Sequence, residues 1–267
     1  MPEPGLILLI LFLGFTISCL SGLLGIGGGI VMAPALLYLP SLLGVGALDM
    51  REVAGLTIAQ GLFACLSGAF RHHKYHCVHR PLVIWMGPTI VLAALAGAAL
   101  SRGVTNETLM VIFAALAACA AVLMLFPRKG DDETFVPGEV KFNRPAALLI
   151  ALTIGSLGGM VGQGGSFILI PLMLHVLRLP TRIVIGSNLA LVFLSSLAGF
   201  AGKLATGQVP GILAVFLILG ALPGAQIGSV LSHRTSPKLL RAALALVVAA
   251  AAVTMAFDAF AGMGPQG

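Results

Sequence analysis

Apolar residues run along this chain in ten long segments, separated by short joints rich in glycine, proline and charge. Five lie before a polar linker, at roughly 6–24, 29–46, 53–70, 82–100 and 107–126. Five follow it, at roughly 146–162, 166–179, 183–202, 210–230 and 239–260. Most approach the about 20 residues a helix needs to cross a bilayer. The pattern predicts an all-α integral membrane protein. The linker runs from Pro127 to Pro145 and contains Arg128-Lys129-Gly130-Asp131-Asp132-Glu133. It divides the chain into a first transmembrane repeat (1–127), a cytoplasmic linker (128–145) and a second repeat (146–267).

The two halves resemble each other. Gly22-Leu23-Leu24-Gly25-Ile26-Gly27-Gly28-Gly29-Ile30-Val31-Met32-Ala33-Pro34 interrupts the first apolar stretch, and Gly159-Met160-Val161-Gly162-Gln163-Gly164-Gly165-Ser166-Phe167-Ile168-Leu169-Ile170-Pro171 interrupts the sixth. A shift of 137 places superimposes Gly22, Gly25, Gly27, Gly28 and Pro34 on Gly159, Gly162, Gly164, Gly165 and Pro171. Beyond these breaks the offset falls to 131, matching Arg51, Val53, Gly55 and Ala59 to Arg182, Val184, Gly186 and Ala190. The same offset matches Gly97, Leu100, Ser101 and Leu109 to Gly228, Leu231, Ser232 and Leu240. Paired glycine and proline breaks at corresponding places in two halves point to a transporter's binding site.

Positive charge orients the halves, because cytoplasmic loops collect lysine and arginine. If each glycine break is the tip of a hairpin, one side of the membrane holds twelve basic residues. These are Arg71, Lys74, Arg80, Arg128, Lys129, Lys141, Arg144, Arg178, Arg182, Arg234, Lys238 and Arg241. The other side holds Arg51, Arg102 and Lys203. If each break is only a kink in a single crossing, the split is eight to seven, which is no bias. The hairpin pattern therefore predicts two inverted repeats of about five segments, each with a glycine-rich broken helical hairpin, and both termini outside the cytoplasm. The arm from Phe167 to Leu179 has 13 residues. That is about 20 Å of helix against about 30 Å of hydrocarbon, so the tip ends inside the bilayer. By the repeat, Gly25 to Gly29 enters from the opposite face.

Composition agrees with a membrane location. Of 267 residues, 58% are hydrophobic and 9% charged, and the mean hydropathy is +1.07. Soluble domains carry about 25% charged residues. The net charge of +6 reflects cytoplasmic loops, since no basic run is long or aromatic enough for nucleic acid. The leader Met1-Pro2-Glu3-Pro4 lacks a positive n-region, so the first segment reads as a retained helix rather than a cleaved signal. Cys19, Cys65, Cys77 and Cys119 are scattered, and three of them lie in apolar runs. No H-E-x-x-H, G-x-S-x-G or acid pair falls in a span, and neither glycine stretch completes a P-loop. The sequence therefore predicts no enzyme, no cofactor and no metal centre.

A hairpin tip leaves backbone N–H groups unpaired where the returning helix starts. Together with the helix dipole they attract an anion, and glycine allows close approach. The predicted substrate site is Gly25, Gly27, Gly28 and Gly29 from the first tip, with Gly162, Gln163, Gly164, Gly165 and Ser166 from the second. Thr57 and Asn188 stand at equivalent positions in the third segment of each half, with Gln60 one turn beyond Thr57. They either face the cavity or join helices through hydrogen bonds worth about 0.6 kcal/mol. Gly97 and Gly228 read as packing glycines. His72, His76 and His79 share a helical face at a spacing that suits metal, but a basic loop near anionic headgroups accounts better for Arg71, Lys74 and Arg80. Ionisable groups in spans are few: His175, which reads as interfacial rather than a proton relay, Asp258 near an outer edge, and Lys203 and Glu52 at segment ends.

The twin glycine-rich tips followed by proline, the polar starts of the third segments, and the two-half layout resemble the TauE/SafE family of sulfite and organosulfonate permeases. The resemblance covers essentially the whole chain. It implies a multi-pass carrier in the bacterial inner membrane that moves small sulfur-containing oxyanions. With the tips it predicts a secondary carrier working by alternating access, its partners a small anionic substrate and the lipid bilayer. The alternative is an anion channel, or a carrier for another small anionic metabolite. A homo-oligomer is compatible with the sequence.

Overall fold

The computed structural model describes residues 3–24, 29–72, 78–125, 142–162 and 165–234. Among these residues there are nine α-helices. They are α1 (Pro4–Leu24), α2 (Gly29–Leu42), α3 (Met50–His72), α4 (Arg80–Leu100) and α5 (Asn106–Leu125) in the first half. The second half supplies α6 (Arg144–Val161), α7 (Ser166–His175), α8 (Thr181–Ala205) and α9 (Gly211–Arg234). All nine coincide with apolar segments of the sequence. The predicted tenth segment, Asp258 and most of the linker lie outside the described residues.

Helix boundaries follow local chemistry. Arg80-Pro81 and Arg144-Pro145 open α4 and α6 with proline in the first turn, where its missing N–H costs nothing. Asn143 caps α6 by accepting the Ala146 N–H at 3.2 Å. Asp49 and Glu52 form a reciprocal box before α3: the Glu52 N–H donates to Asp49 Oδ1 at 2.7 Å, and the Asp49 N–H to Glu52 Oε2 at 3.2 Å. The two hairpin arms are shorter than the apolar runs that hold them. α2 stops at Leu42 and α7 at His175, although hydrophobic residues continue to 46 and 179. At 14 and 10 residues they rise about 21 and 15 Å, so neither spans the hydrocarbon.

Among the described residues six helices are long and apolar enough to cross a membrane: α1, α4, α5, α6, α8 and α9. Their outward faces carry large exposed hydrophobic side chains, such as Leu8, Phe12, Ile84, Leu92 and Leu149, as lipid-facing surfaces do. Near one end of the bundle the Arg144 guanidinium lies over the Trp85 ring, 4.8 Å from its centroid. α3 is also long, with 23 residues, but it is the least apolar helix. Its burial explains why: every residue from Val53 to Leu62 is buried, so this part of α3 touches protein on all sides. A central helix can carry polar side chains that a lipid-facing helix cannot.

The halves interlock rather than sit side by side. α1 packs along α9, and α4 along α6, each pair parallel. Glycines set both contacts. A Cβ on Gly228 would fall on the Cys19 carbonyl, and one on Gly97 would fall on the Ser156 carbonyl. Gly22 likewise meets the Ala225 carbonyl, and Gly159 the Ala94 carbonyl. Gly97 and Gly228 are therefore packing glycines that let backbones approach closely. α3 and α8 cross antiparallel in the centre, with Gly199 against Ile58 and Cys65 clustered with Leu189 and Val192. Phe113 of α5 packs on Phe167 of α7, centroids 5.7 Å apart.

Candidate substrate site

The second glycine tip is built from two left-handed residues. α6 ends at Gly162 with φ +81°, its N–H donating back to the Gly158 carbonyl. Gly165, at φ +72°, starts α7 and accepts the Leu169 N–H at 3.0 Å. Such φ values favour glycine, which has no Cβ to clash with its own backbone. Gly162 is pressed against the backbone of α3, where a Cβ would collide with the Ala54 carbonyl. Ser166 is the first residue of α7. The first-turn N–H groups of α7 lack intrahelical partners and sit at the positive end of its dipole.

Thr57 ties this tip to the other half. Its Oγ1 lies 3.0 Å from the Gly162 carbonyl oxygen and 3.2 Å from that of Ala54, and donates its proton to them. Thr57 is fully buried, so the bond is shielded from water. Asn188, its counterpart on α8, is also fully buried. Gly29 is the buried first residue of α2, and the two short arms α2 and α7 touch. The structure thus brings Thr57 to the second tip. Gly25, Gly27, Gly28, Gln163 and Gly164 lie outside the described residues.

Gln60, read from the sequence beside Thr57, is joined near the central helices by other buried polar residues that the sequence reading did not single out. Gln60 Nε2 donates to Ser18 Oγ of α1 at 2.9 Å. Among the described residues, the buried Gln60 Oε1 and Ser196 Oγ of α8 have no partner. Ser21, Ser187 and Ser195 are buried too. The signal was present, because Ser18 and Ser21 are one helical turn apart in an apolar run, as are Thr57 and Gln60. Together they give the centre of the bundle a polar seam that hydrocarbon alone does not require.

Of the histidines read as metal-ligand candidates, His79 has a different task. Its Nδ1 accepts the Leu82 N–H at 3.3 Å as the cap of α4, and its backbone N–H donates to Ser187 Oγ at 3.0 Å. The ring of Phe142 meets it edge-on at 5.8 Å. Burial pushes its pKa below the ordinary 6.5. Below about pH 6.5 the unfolded chain takes up a proton that the folded one resists, so stability falls with acidification. We expect the melting temperature to drop between pH 7.5 and 5.5, and His79→Asn, which caps without titrating, to flatten that drop. An unchanged slope in the variant would assign the pH effect to other groups. His175 Nδ1 lies 3.0 Å from the Pro171 carbonyl within α7. Among the described residues no group of three His, Cys, Asp or Glu is placed to hold a metal.

Comparison with known proteins finds probable membrane transporters that match most of the chain. The probable membrane transporter protein YunE of Bacillus subtilis (strain 168) is 23% identical over 249 residues, covering 87% of this chain and 90% of that protein. A probable membrane transporter protein of Xylella fastidiosa (strain Temecula1) is 27% identical over 250 residues, covering 91% and 92%. One from Haemophilus influenzae is 30% identical over 198 residues, covering 73% and 72%. No solved structure matches the chain. The family described as sulfite exporter TauE/SafE matches residues 10–255. It is a family of membrane transporters, not of enzymes. With its interlocked apolar helices and broken second hairpin, the chain belongs to the TauE/SafE family.

Proposed function

We propose that this membrane transporter is a secondary carrier of small sulfur-containing oxyanions, such as sulfite or organosulfonates, and that it works by alternating access. The observation that carries the reading is the Thr57–Gly162 bond, which joins a buried central helix of one half to the glycine tip of the other. In this reading the anion sits at the N–H groups of the two tips, Gly25–Gly29 and Gly162–Ser166, with Thr57 and Asn188 beside it. No buried lysine or arginine is needed there, because the dipoles of the returning arms supply positive potential.

Two features support inverted halves. The glycine seats correspond under the sequence offsets: 97 + 131 gives 228, while 19 + 137 gives 156, the residues that receive them. In addition α3 and α8, the third segments of the halves, run antiparallel, as inverted copies must and as kinked single crossings would not. The lysine and arginine distribution then places the linker in the cytoplasm and both termini outside. Rocking one half against the other would slide α3 past the tip and expose the anion to either face.

Flux of labelled sulfite, sulfonates and sulfate into liposomes tests the reading. We expect the wild type to move at least one of these, and Thr57→Val to slow it about tenfold or more while Thr57→Ser keeps most of it. Loss of one neutral hydrogen bond costs only about 1 kcal/mol of stability, so Thr57→Val should remain folded. Full flux in Thr57→Val would remove the tip contact from the mechanism. Flux of none of these anions would reject sulfur oxyanions as the cargo.

A further inference from the structure

Where α3 begins and α4 and α8 end, the bundle holds two cations that the tip site does not use. Lys203, in the last turn of α8, is fully buried. The sequence placed it at a segment end, where a lysine would ordinarily reach water. Instead its Nζ donates to Ser101 Oγ and to Gln208 Oε1, each at 3.0 Å. Ser101 donates onward to the Ala98 carbonyl at 2.7 Å. Gln208 Nε2 donates to Thr206 Oγ1 at 2.7 Å and to the Ala98 carbonyl at 3.3 Å. Every one of these acceptors is neutral. Among the described residues no carboxylate lies within ion-pair distance of Lys203.

The second cation is Arg51, which reaches the turn that begins at Ser101, a partner of Lys203. Its Nη2 donates to the Val104 carbonyl at 2.9 Å, while its buried Nε has no partner among the described residues. The neighbouring acids Asp49 and Glu52 are engaged with each other's backbone N–H groups. Arg51 also stands in the first turn of α3, where the helix dipole is already positive. Sealing an ammonium from water among neutral acceptors is costly, and a second cation nearby adds to that cost. The carbonyl ends of α4 and α8 return only partial negative charge. A small anion would supply the missing charge, and the third Nζ–H of Lys203 and the Nε–H of Arg51 are donors suited to one.

The position relates these cations to the tip. The Gln208 carbonyl rests on Gly55, two residues before Thr57. Arg51 precedes Thr57 by six residues, about 9 Å along α3. We propose that Lys203 and Arg51 form a second anion station, which takes a small oxyanion at this end of the bundle. The station rests on the carrier reading only for the identity of its cargo; the cation pair binds an anion whether or not the tip does.

The test is the melting temperature of the purified protein at constant ionic strength, as sodium gluconate is replaced by sodium sulfate or sulfite. We expect a saturable rise in the wild type. Lys203→Met should remove the station's share of the rise, leaving no more than the tip contributes, and, in gluconate, melt no lower than wild type, because an uncompensated charge has gone. Arg51→Gln should raise the midpoint concentration about tenfold, the weight of one charge-assisted bond. Arg102→Gln, which removes an exposed cation at the same end of the bundle, should keep the full rise. The proposal is overturned if the wild type does not respond, if Lys203→Met responds equally, or if Arg102→Gln loses the response as Lys203→Met does. It is overturned too if Lys203→Met melts far below wild type and Arg51→Gln binds normally, which would make Lys203 a structural pin. A Lys203-dependent rise in a protein that moves no anion in liposomes would leave the station standing and reject the carrier reading.

Discussion

Gly162→Leu is expected to abolish folded protein, and Gly162→Ala to melt well below wild type. Two independent costs fall on this position. Its φ of +81° is left-handed, which costs an L-residue about 1–2 kcal/mol. Its missing Cβ is where the Ala54 carbonyl lies, and forcing atoms into packed space costs about 1–3 kcal/mol. The alanine change should therefore cost about 3 kcal/mol, and leucine more. Gly207 separates the two causes, because its φ is +70° but nothing lies within 4 Å of its would-be Cβ. Gly207→Ala should lose only the backbone share, about 1–2 kcal/mol. Thermal melting in detergent with size-exclusion monodispersity reads both. Equal losses at the two positions would mean that the tip is not pressed onto α3, and the proposed sliding contact would lose its basis.

The second large effect concerns the glycine seats between the halves. Gly97→Ala and Gly228→Ala should destabilise by similar amounts, each about 1–3 kcal/mol. Each new methyl meets a backbone carbonyl, of Ser156 or Cys19, and no rotamer change can move a carbonyl aside. Neither substitution alters the tip or its partners. Melting curves of the two single variants give the comparison directly. A neutral change at one seat beside a severe change at the other would break the correspondence that supports the inverted halves.

Much of the architecture was legible because a bilayer leaves few choices. Apolar runs bounded by Arg80-Pro81, Asn143-Arg144 and the glycine breaks marked the described helices to within a few residues. The partnering of helices was not legible. In lipid, hydrophobicity does not choose between neighbours, and small residues set the close approaches. Gly97 was recognisable as a packing glycine, but nothing in its surroundings named Ser156 as its seat. Thr57 was visible as a polar residue in an apolar helix. Its choice of the Gly162 carbonyl depended on a fold that brings residues 105 positions apart together. Lys203 was legible as a residue at a segment end, but its burial was not, because the side chains that seal it, Ser101 and Gln208, come from α4's end and the joint before α9.

The crossed pairing also bears on how the molecule is made. α1 leaves the ribosome first, yet its parallel partner α9 begins 187 residues after α1 ends (211 − 24). At about 5–20 residues per second, α1 waits on the order of 10–40 s before its glycine face is covered. During that interval the helix must be held by lipid or by the insertion machinery. An N-terminal half synthesised alone would keep that face bare. Two halves made as separate chains in the same membrane would each carry the surface the other lacks, and so could rebuild the transporter by association.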